Sequence, residues 1–521
     1  MEQNFDLVVV GAGSAGLLAA VAARRLGERV LVVDADTLAG GSTAGSDGRF
    51  WLPANDLMAK LGVSDSTADA AEYLEALLGP TTASSTAGRR ASYVRTAGKL
   101  ARWLTQSNIA LTAVKGVPDH HSDLPGGKPQ GRVLQAQPMD RRVLGDWSAS
   151  LRPDTTSDRG RLGRLLPVRR NTESPGEALA GQLLHRATAN GVELWLDTPV
   201  VGLLGEGAVT GVVVRRNGED EPVTAGRVLL ASGGFERNQS LREEYLPLPT
   251  EAAWSVSGAT NTGDLLNQAV AHGAATADLD DAWWAPVMLV DGKAYSLDGA
   301  RGKPHSLIID SSGDRFFNEA APANTAGRAL YDRSHGVRAV PSFLVMDKSH
   351  RQNVPLGPWA ASRTPKGAIE NADIVRAGTL NDLAQALGVD RAGLLGTAVR
   401  FNGFASKGKD TDFKRGESAW DAASGEAGER RNPSLGKVDK PPFWAVKVYP
   451  GDTGTKGGLL IDAASRVLKV DGTVVGGLYA CGGAAASLFK SASPAPGAAL
   501  GAALVEAFLA ATDQPERRRE L

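Results

Sequence analysis

Gly11, Gly13 and Gly16 stand where a short apolar strand, Asp6–Val10, gives way to an apolar helix over Leu17–Leu26. A second strand, Arg29–Val33, ends in Asp34. Phosphate chemistry needs backbone rather than side chains at such a turn. Gly11 bends the chain, Gly13 lets it approach a pyrophosphate, and Gly16 lets the helix lie close on the strand. Ser14 and Ala15 open the helix, so their free N–H groups and the positive end of the helix dipole face the anion. Asp34 is placed to accept from a ribose hydroxyl. A lone glycine triplet often serves packing. Flanked by two strands, a helix and an acid, this one predicts a bound dinucleotide.

Small residues then recur. Gly41-Ser42-Thr43 lie in a second glycine turn, Gly40–Gly45, and Ala231-Ser232-Gly233 follow the apolar strand Val228–Leu230. Near the C-terminus Gly482 follows another strand, and Pro494–Gly501, with Ala498 and Leu500, reads as a turn entering a helix. A nicotinamide cofactor needs one such turn near its first helix. A flavin is longer, and its ribityl chain and ring pass along further backbone, so the recurrence points to FAD. The competing reading, glycines kept for packing alone, explains each turn singly but not the set.

The remaining elements must bring these separated turns together. Gly176–Asn190 has helical spacing, Val192–Leu196, Val200–Leu204 and Val209–Arg215 read as strands, and Asn217-Gly218 marks a hairpin. Ser342–Met346, Leu380–Leu387 and Arg391–Ala405 carry strand and helix patterns of their own. The expected class is α/β: a Rossmann-type FAD-binding domain from residues 1–284 and 452–521, with an inserted α/β catalytic domain over 285–451. Arg152–Glu173 reads as a solvated loop, and Pro515–Leu521 as a frayed tail.

A chain of 521 residues exceeds one typical domain, and its 42% apolar and 22% charged content is that of a soluble globular protein. The net charge of −1 supplies no field for nucleic acid or an anionic membrane surface. Cys481 is the single cysteine, which excludes an intrachain disulfide and suggests a reducing, cytoplasmic setting. Folding that begins at Asp6 leaves no room for a signal peptide, and no apolar run is long enough for a membrane span. No metal site is read from the spacing of its ligand-type residues.

Several segments together resemble the flavoprotein family of fumarate reductases and 3-ketosteroid Δ1-dehydrogenases, nearest the second branch. They are Gly40–Pro53, Pro125–Arg132, Asn261–Asp264 with Asp281–Pro286, Arg400–Phe404, Arg415–Trp420, Pro450–Gly458 and Tyr479–Gly501, in the family's order. The resemblance implies non-covalent FAD, adds Asn261, Gly263 and Asp264 to the cofactor contacts, and implies a catalytic domain over the flavin ring. It also implies a chemistry: two hydrogens leave adjacent carbons beside a ketone, one as a proton to a base and one as hydride to flavin N5. Hydrogen bonds to the ketone oxygen supply the acidity.

In the steroid enzymes tyrosines do much of this work, and this chain differs at all three places. Ser493 stands before Pro494-Ala495-Pro496-Gly497, Ala323 follows Ala321-Pro322, and Pro118-Asp119-His120-His121 lies upstream of the Pro125 motif. The resemblance therefore makes Ser493 and the Gly497 N–H the ketone donors. His120 or His121 is the base, with an ordinary pKa near 6.5, and Tyr331 is the best surviving phenol. Arg49 and Lys490 replace small residues and could meet a substrate carboxylate. Trp283 and Trp284 read as core aromatics of which one borders the pocket. The expected activity is FAD-dependent desaturation of a cyclic ketone smaller than a steroid, with an external electron acceptor. The alternatives are an ene-reductase running the electrons backwards, a ketosteroid dehydrogenase proper, and a flavin-binding protein without activity.

Overall fold

The computed structural model describes residues 4–153, 172, 174–426 and 431–513. The Pro515–Leu521 tail, and the Arg152–Glu173 loop apart from residues 152, 153 and 172, lie outside them. Asn4–Val10 sits mid-sheet, parallel to Val30–Val33 on one side and to Glu219–Leu230 on the other. Its Val8 and Val9 are fully buried. A strand covered on both faces needs an unbroken apolar run, which is what this segment supplies. The full path runs Arg466–Leu468, Val474–Ala480, Glu219–Leu230, Asn4–Val10, Val30–Val33, Glu193–Trp195, and Val200–Leu204 with Gly211–Arg216 completes eight strands. Asn217 and Gly218, at φ 52° and 84°, close the expected hairpin between Arg216 and Glu219.

Helices Pro175–Ala189 and Ala498–Thr512 each pack against helix Ser14–Arg25 on this sheet. The C-terminal strand and helix therefore return to the first glycine turn, with Leu478 beside Val228 and Ala480 beside Leu230.

A second sheet of six strands follows the path Lys293–Ser296, Ala282–Val290, Phe443–Thr455, Ser342–Met346, Ser306–Ile309, with Val375–Ala377 also paired to Phe443–Thr455. Ala282–Val290 and Phe443–Thr455 are antiparallel neighbours, Trp284 facing Asp452. The expected boundaries at 284/285 and 451/452 thus fall inside this strand pair, along which the chain passes from one layer to the other. Helices Leu380–Leu387 and Arg391–Lys407 form where their spacing predicts.

One part was not anticipated. Phe50–Trp51, Val133–Ala136 and Leu111–Ala113 make a small antiparallel sheet, flanked by helices Thr67–Leu78 and Ala87–Gln106. It carries the loop that holds His120. No helix among the described residues is long and apolar enough to cross a membrane.

Candidate active site

The first turn is held by backbone crowding. A Cβ on Gly11 would lie 2.3 Å from the Ala231 carbonyl oxygen, and one on Gly16 would lie 2.0 Å from that of Gly11. A Cβ on Gly13 would meet nothing within 4 Å, so Gly13 faces open space. Helix Ser14–Arg25 has no side-chain cap and no acid in its first turn. The Ser14 hydroxyl is buried there without a partner. An uncapped helix end, an orphaned donor and a residue-free cradle fit a pyrophosphate. Ala15 is half-buried beside Ser14.

The other turns line up from that point. The Gly40 N–H donates to the Ala12 carbonyl at 2.9 Å, and a Cβ on Gly41 would stand 3.1 Å from the Gly13 Cα. Asp34 accepts from the Ala12 N–H at 2.6 Å and the Asp36 N–H at 2.8 Å. Burial raises its pKa, against the pull of those two donors. The Ser42 hydroxyl accepts from the Gly258 N–H at 2.9 Å and from Asn261 Nδ2 at 3.2 Å. Gly233 lies under the Asn261 amide, and the Ala231 N–H donates to Val10 at 2.8 Å. Thr43 gives its carbonyl to Ser46 Oγ at 2.8 Å. Asp264, after Gly263, accepts from the Thr262 hydroxyl at 2.7 Å and stays exposed. At the far end the Gly482 N–H donates to Glu506 at 3.0 Å, with Ala498 buried and Leu500 half-buried.

Ser493 sits in a segment whose four consecutive carbonyls are tied to different parts of the chain. Ser491 accepts from Asn324 Nδ2 at 2.7 Å, and Ala492 from Lys456 Nζ at 2.9 Å. Ser493 accepts from His120 Nδ1 at 2.9 Å. Pro494 accepts from the His120 N–H at 2.9 Å and the Tyr73 hydroxyl at 2.7 Å. With its carbonyls drawn back, this segment leaves the Ser493 hydroxyl without an acceptor or donor among the described residues. The Gly497 N–H is likewise unpaired. Gly497 has φ 78° and caps helix Ala498–Thr512 without side-chain help. A Cβ there would meet the Arg49 carbonyl oxygen at 2.3 Å, so only glycine lets this turn sit so close.

The histidine loop is anchored from below. Asp119 accepts from Trp51 Nε1 and from Arg132 Nη1, both at 2.8 Å, and Arg132 also pairs with Asp65 at 2.6 Å. Because a carbonyl accepts at Nδ1, His120 carries its proton there and turns a lone pair out at Nε2. Its ring edge meets Trp420, centroids 4.4 Å apart. Burial lowers its pKa to about 3, so the expected value near 6.5 is corrected: the ring is neutral throughout the physiological range. His121 is only half-buried, does not reach Ser493, and takes the Tyr73 hydroxyl as acceptor through its N–H at 3.4 Å.

The other five sequence candidates make contacts of their own. Tyr331 lies about 10 Å beyond Asn324 along its helix, donating to the Pro249 carbonyl at 3.2 Å and packing on Trp284. It is not brought to Ser493, and burial raises its pKa. Lys490 gives its ammonium to the Leu78 and Pro80 carbonyls at 3.0 and 3.1 Å. Trp284 is core and donates to Asp281 at 2.8 Å, whereas Trp283 is half-buried with the Lys456 ammonium 4.5 Å from its ring centre. Arg49 pairs with Asp47 at 3.4 Å and remains part-exposed.

Lys456, Asn324 and Tyr73 escaped the sequence reading. Lys456 had a signal, a lone charge inside Gly454–Gly458. It is fully buried, and desolvation lowers its pKa to about 7. The other two had none.

Residues 6–500 match the family model described as FAD binding domain. The chain is 35% identical to a 3-oxosteroid 1-dehydrogenase of Mycobacterium tuberculosis (strain ATCC 25618 / H37Rv), over 99% of this chain and 100% of that protein. It is 33% identical to a 4-oxocyclohexanecarboxylate 2-dehydrogenase of Sinomonas cyclohexanicum, over 98% and 92%. Among solved structures, the 3-ketosteroid Δ1-dehydrogenase of Sterolibacterium denitrificans in complex with 1,4-androstadiene-3,17-dione superposes with a TM-score of 0.93 at 34% identity, covering 98% of this chain and 99% of that one.

Proposed function

Because this chain belongs to the FAD-binding-domain flavoprotein family and is an FAD-dependent oxidoreductase acting on CH–CH groups, we propose that it desaturates a cyclic ketone smaller than a steroid, making the α,β-unsaturated ketone. The observation that carries this reading is the pairing of His120 with Ser493 at the clamped segment. By the family resemblance, both residues stand where the steroid branch carries phenols. Its relatives divide between steroid and cyclohexanone substrates at similar identity, so the distinction rests on these side chains.

In this mechanism the Ser493 hydroxyl and the Gly497 N–H hold the ketone oxygen, where negative charge develops as the α C–H is broken. His120 Nε2 takes the α-proton. A base of pKa about 3 is weak in the resting protein. Its basicity rises as the enolate forms beside it, because an adjacent negative charge favours the imidazolium. Trp420 and the carbonyl of Ser493 keep the ring from turning away. Bound FAD supplies the hydride acceptor, held along the glycine turns described above.

An anaerobic panel of substituted cyclohexanones and 3-oxosteroids, followed by loss of the oxidised flavin absorbance, tests the reading. Small ketones should bleach the flavin fastest. A 3-oxosteroid ahead of every small ketone would make the protein a ketosteroid dehydrogenase instead.

A further inference from the structure

Lys456 follows strand Phe443–Thr455, and both of its backbone groups are held. Its N–H donates to the Asp281 carbonyl and its carbonyl accepts from the Ser487 N–H, each at 2.9 Å. The side chain between them is fully buried. Its ammonium donates to the Ala492 carbonyl at 2.9 Å. The Trp283 ring centre lies 4.5 Å away, and Asp281 Oδ2 at 3.9 Å is beyond hydrogen-bond reach. Among the described residues, three N–H donors thus meet one carbonyl and one ring face. An ammonium so thinly compensated is costly to bury, and desolvation lowers its pKa to about 7.

The neighbouring carboxylate does not need this lysine. Asp281 accepts from Trp284 Nε1 at 2.8 Å and from the Ala282 N–H at 2.9 Å, and it pairs with Arg328 at 2.8 Å. What the lysine holds is the peptide between Ala492 and Ser493. The Ala492 carbonyl and the Ser493 nitrogen share one rigid plane, so fixing the first fixes where Ser493 begins. Asn324 and Tyr73 hold the Ser491 and Pro494 carbonyls in the same way, but they are neutral. Lys456 alone among these three adds a charge.

We propose that Lys456 is a positioning residue for ketone activation: through the Ala492 carbonyl its ammonium fixes the Ala492–Ser493 peptide and sets a positive charge one peptide from the hydroxyl that meets the developing enolate. The inference rests on the role proposed for Ser493 and not on the size of the ketone. In a dry setting one unit of charge acts strongly at this range. The charged groups that face the ammonium are Asp281 and Asp278, which favour its proton, and Arg328, which opposes it.

The test uses holoenzyme of the wild type, Lys456→Met and Lys456→Arg, with whichever ketone of the panel bleaches the flavin fastest. In the wild type kcat should fall several-fold as pH rises through about 7, because the charged lysine is the effective form and is present below that value. In Lys456→Met kcat at about pH 6 should be about 10–10²-fold lower, with KM within a few-fold and the pH limb gone. Lys456→Arg, charged throughout, should recover part of the rate and stay flat across this range. A second readout isolates the proton step. With the flavin held reduced by dithionite, exchange of the ketone's α-hydrogens in deuterium oxide should slow in Lys456→Met by the same factor. Flavin content and thermal midpoint should not fall in that variant, since methionine fills the space without a charge to desolvate.

Unchanged kcat and exchange in Lys456→Met overturn the inference. So does a loss that follows flavin content or midpoint, the mark of a purely structural lysine. A wild-type profile flat across pH 7 overturns it too and needs no variant to fold. A 3-oxosteroid as the fastest ketone overturns the small-ketone reading alone, and the same measurements made with that steroid then decide the role of Lys456. If no ketone bleaches the flavin, both fail.

Discussion

His120 donates through Nδ1 to the carbonyl of Ser493, at 2.9 Å, across 373 residues of sequence. That bond selects the imidazole tautomer, leaving Nε2 as the lone-pair side, and ties the proposed base to the residue proposed to hold the ketone. Replacing His120 therefore disturbs both partners unless the variant keeps that bond, whereas a substitution of the Ser493 side chain leaves the carbonyl in place.

His120→Asn is such a variant, since its amide nitrogen can keep the bond to Ser493 while offering no base. Turnover should fall by about 10²–10⁴ with FAD retained. A base works in its neutral form, above its pKa, and His120 sits at about 3. The pH–rate profile of the wild type should thus show no His120 limb between pH 5 and 8. His121→Ala should stay within a few-fold of wild type. An unchanged rate in His120→Asn removes the histidine from the proton step.

Ser493→Ala should separate activity from stability. The hydroxyl has no partner among the described residues, so its loss should cost no more than about 0.5 kcal/mol of folding stability. Turnover should fall by about 10²–10³, the usual effect of deleting one oxyanion donor. Thermal unfolding and steady-state kinetics on one preparation check both numbers.

The glycines of the first turn should fail in two distinct ways. Gly11→Ala and Gly16→Ala drive a Cβ into backbone oxygen at 2.3 and 2.0 Å, and should lower soluble yield. Gly13→Asp has room for its side chain but brings a carboxylate to the phosphate cradle. It should fold and come out colourless. In the wild type, heat or acid should release FAD intact, and flavin that stays with the precipitated protein would refute non-covalent binding.

Acid should destabilise the protein through two buried histidines. His120 and His350 are both held at about 3, mainly by desolvation, against about 6.5 when unfolded. Between those values the unfolded chain binds more protons than the folded one. Stability therefore falls as pH drops from about 6.5 towards 3, by about 1.4 kcal/mol per pH unit for each histidine. Denaturant midpoints of wild type and His120→Asn across this window should diverge, the variant being less acid-sensitive.

The sequence by itself determined the cofactor and the architecture that holds it. Strand, glycine turn, helix and acid lie within residues 6–34, so local backbone requirements write the dinucleotide site into adjacent positions. The hairpin at Asn217-Gly218 and the strand at Ser342–Met346 were legible for the same reason: turn chemistry and periodicity are local. Only the tertiary structure distinguished His120, whose ring nitrogen reaches the Ser493 carbonyl, from His121, which meets the Tyr73 hydroxyl through its backbone N–H. It also moved Tyr331 and Lys490 away from Ser493 and brought in Lys456, Asn324 and Tyr73. Each of those three donors ends on a carbonyl of residues 491–494, far away in sequence. A carbonyl exists at every residue and leaves no mark in composition or spacing. Which of them a buried donor satisfies depends on long-range packing, as does the desolvation that takes His120 from an ordinary base to one held at about 3.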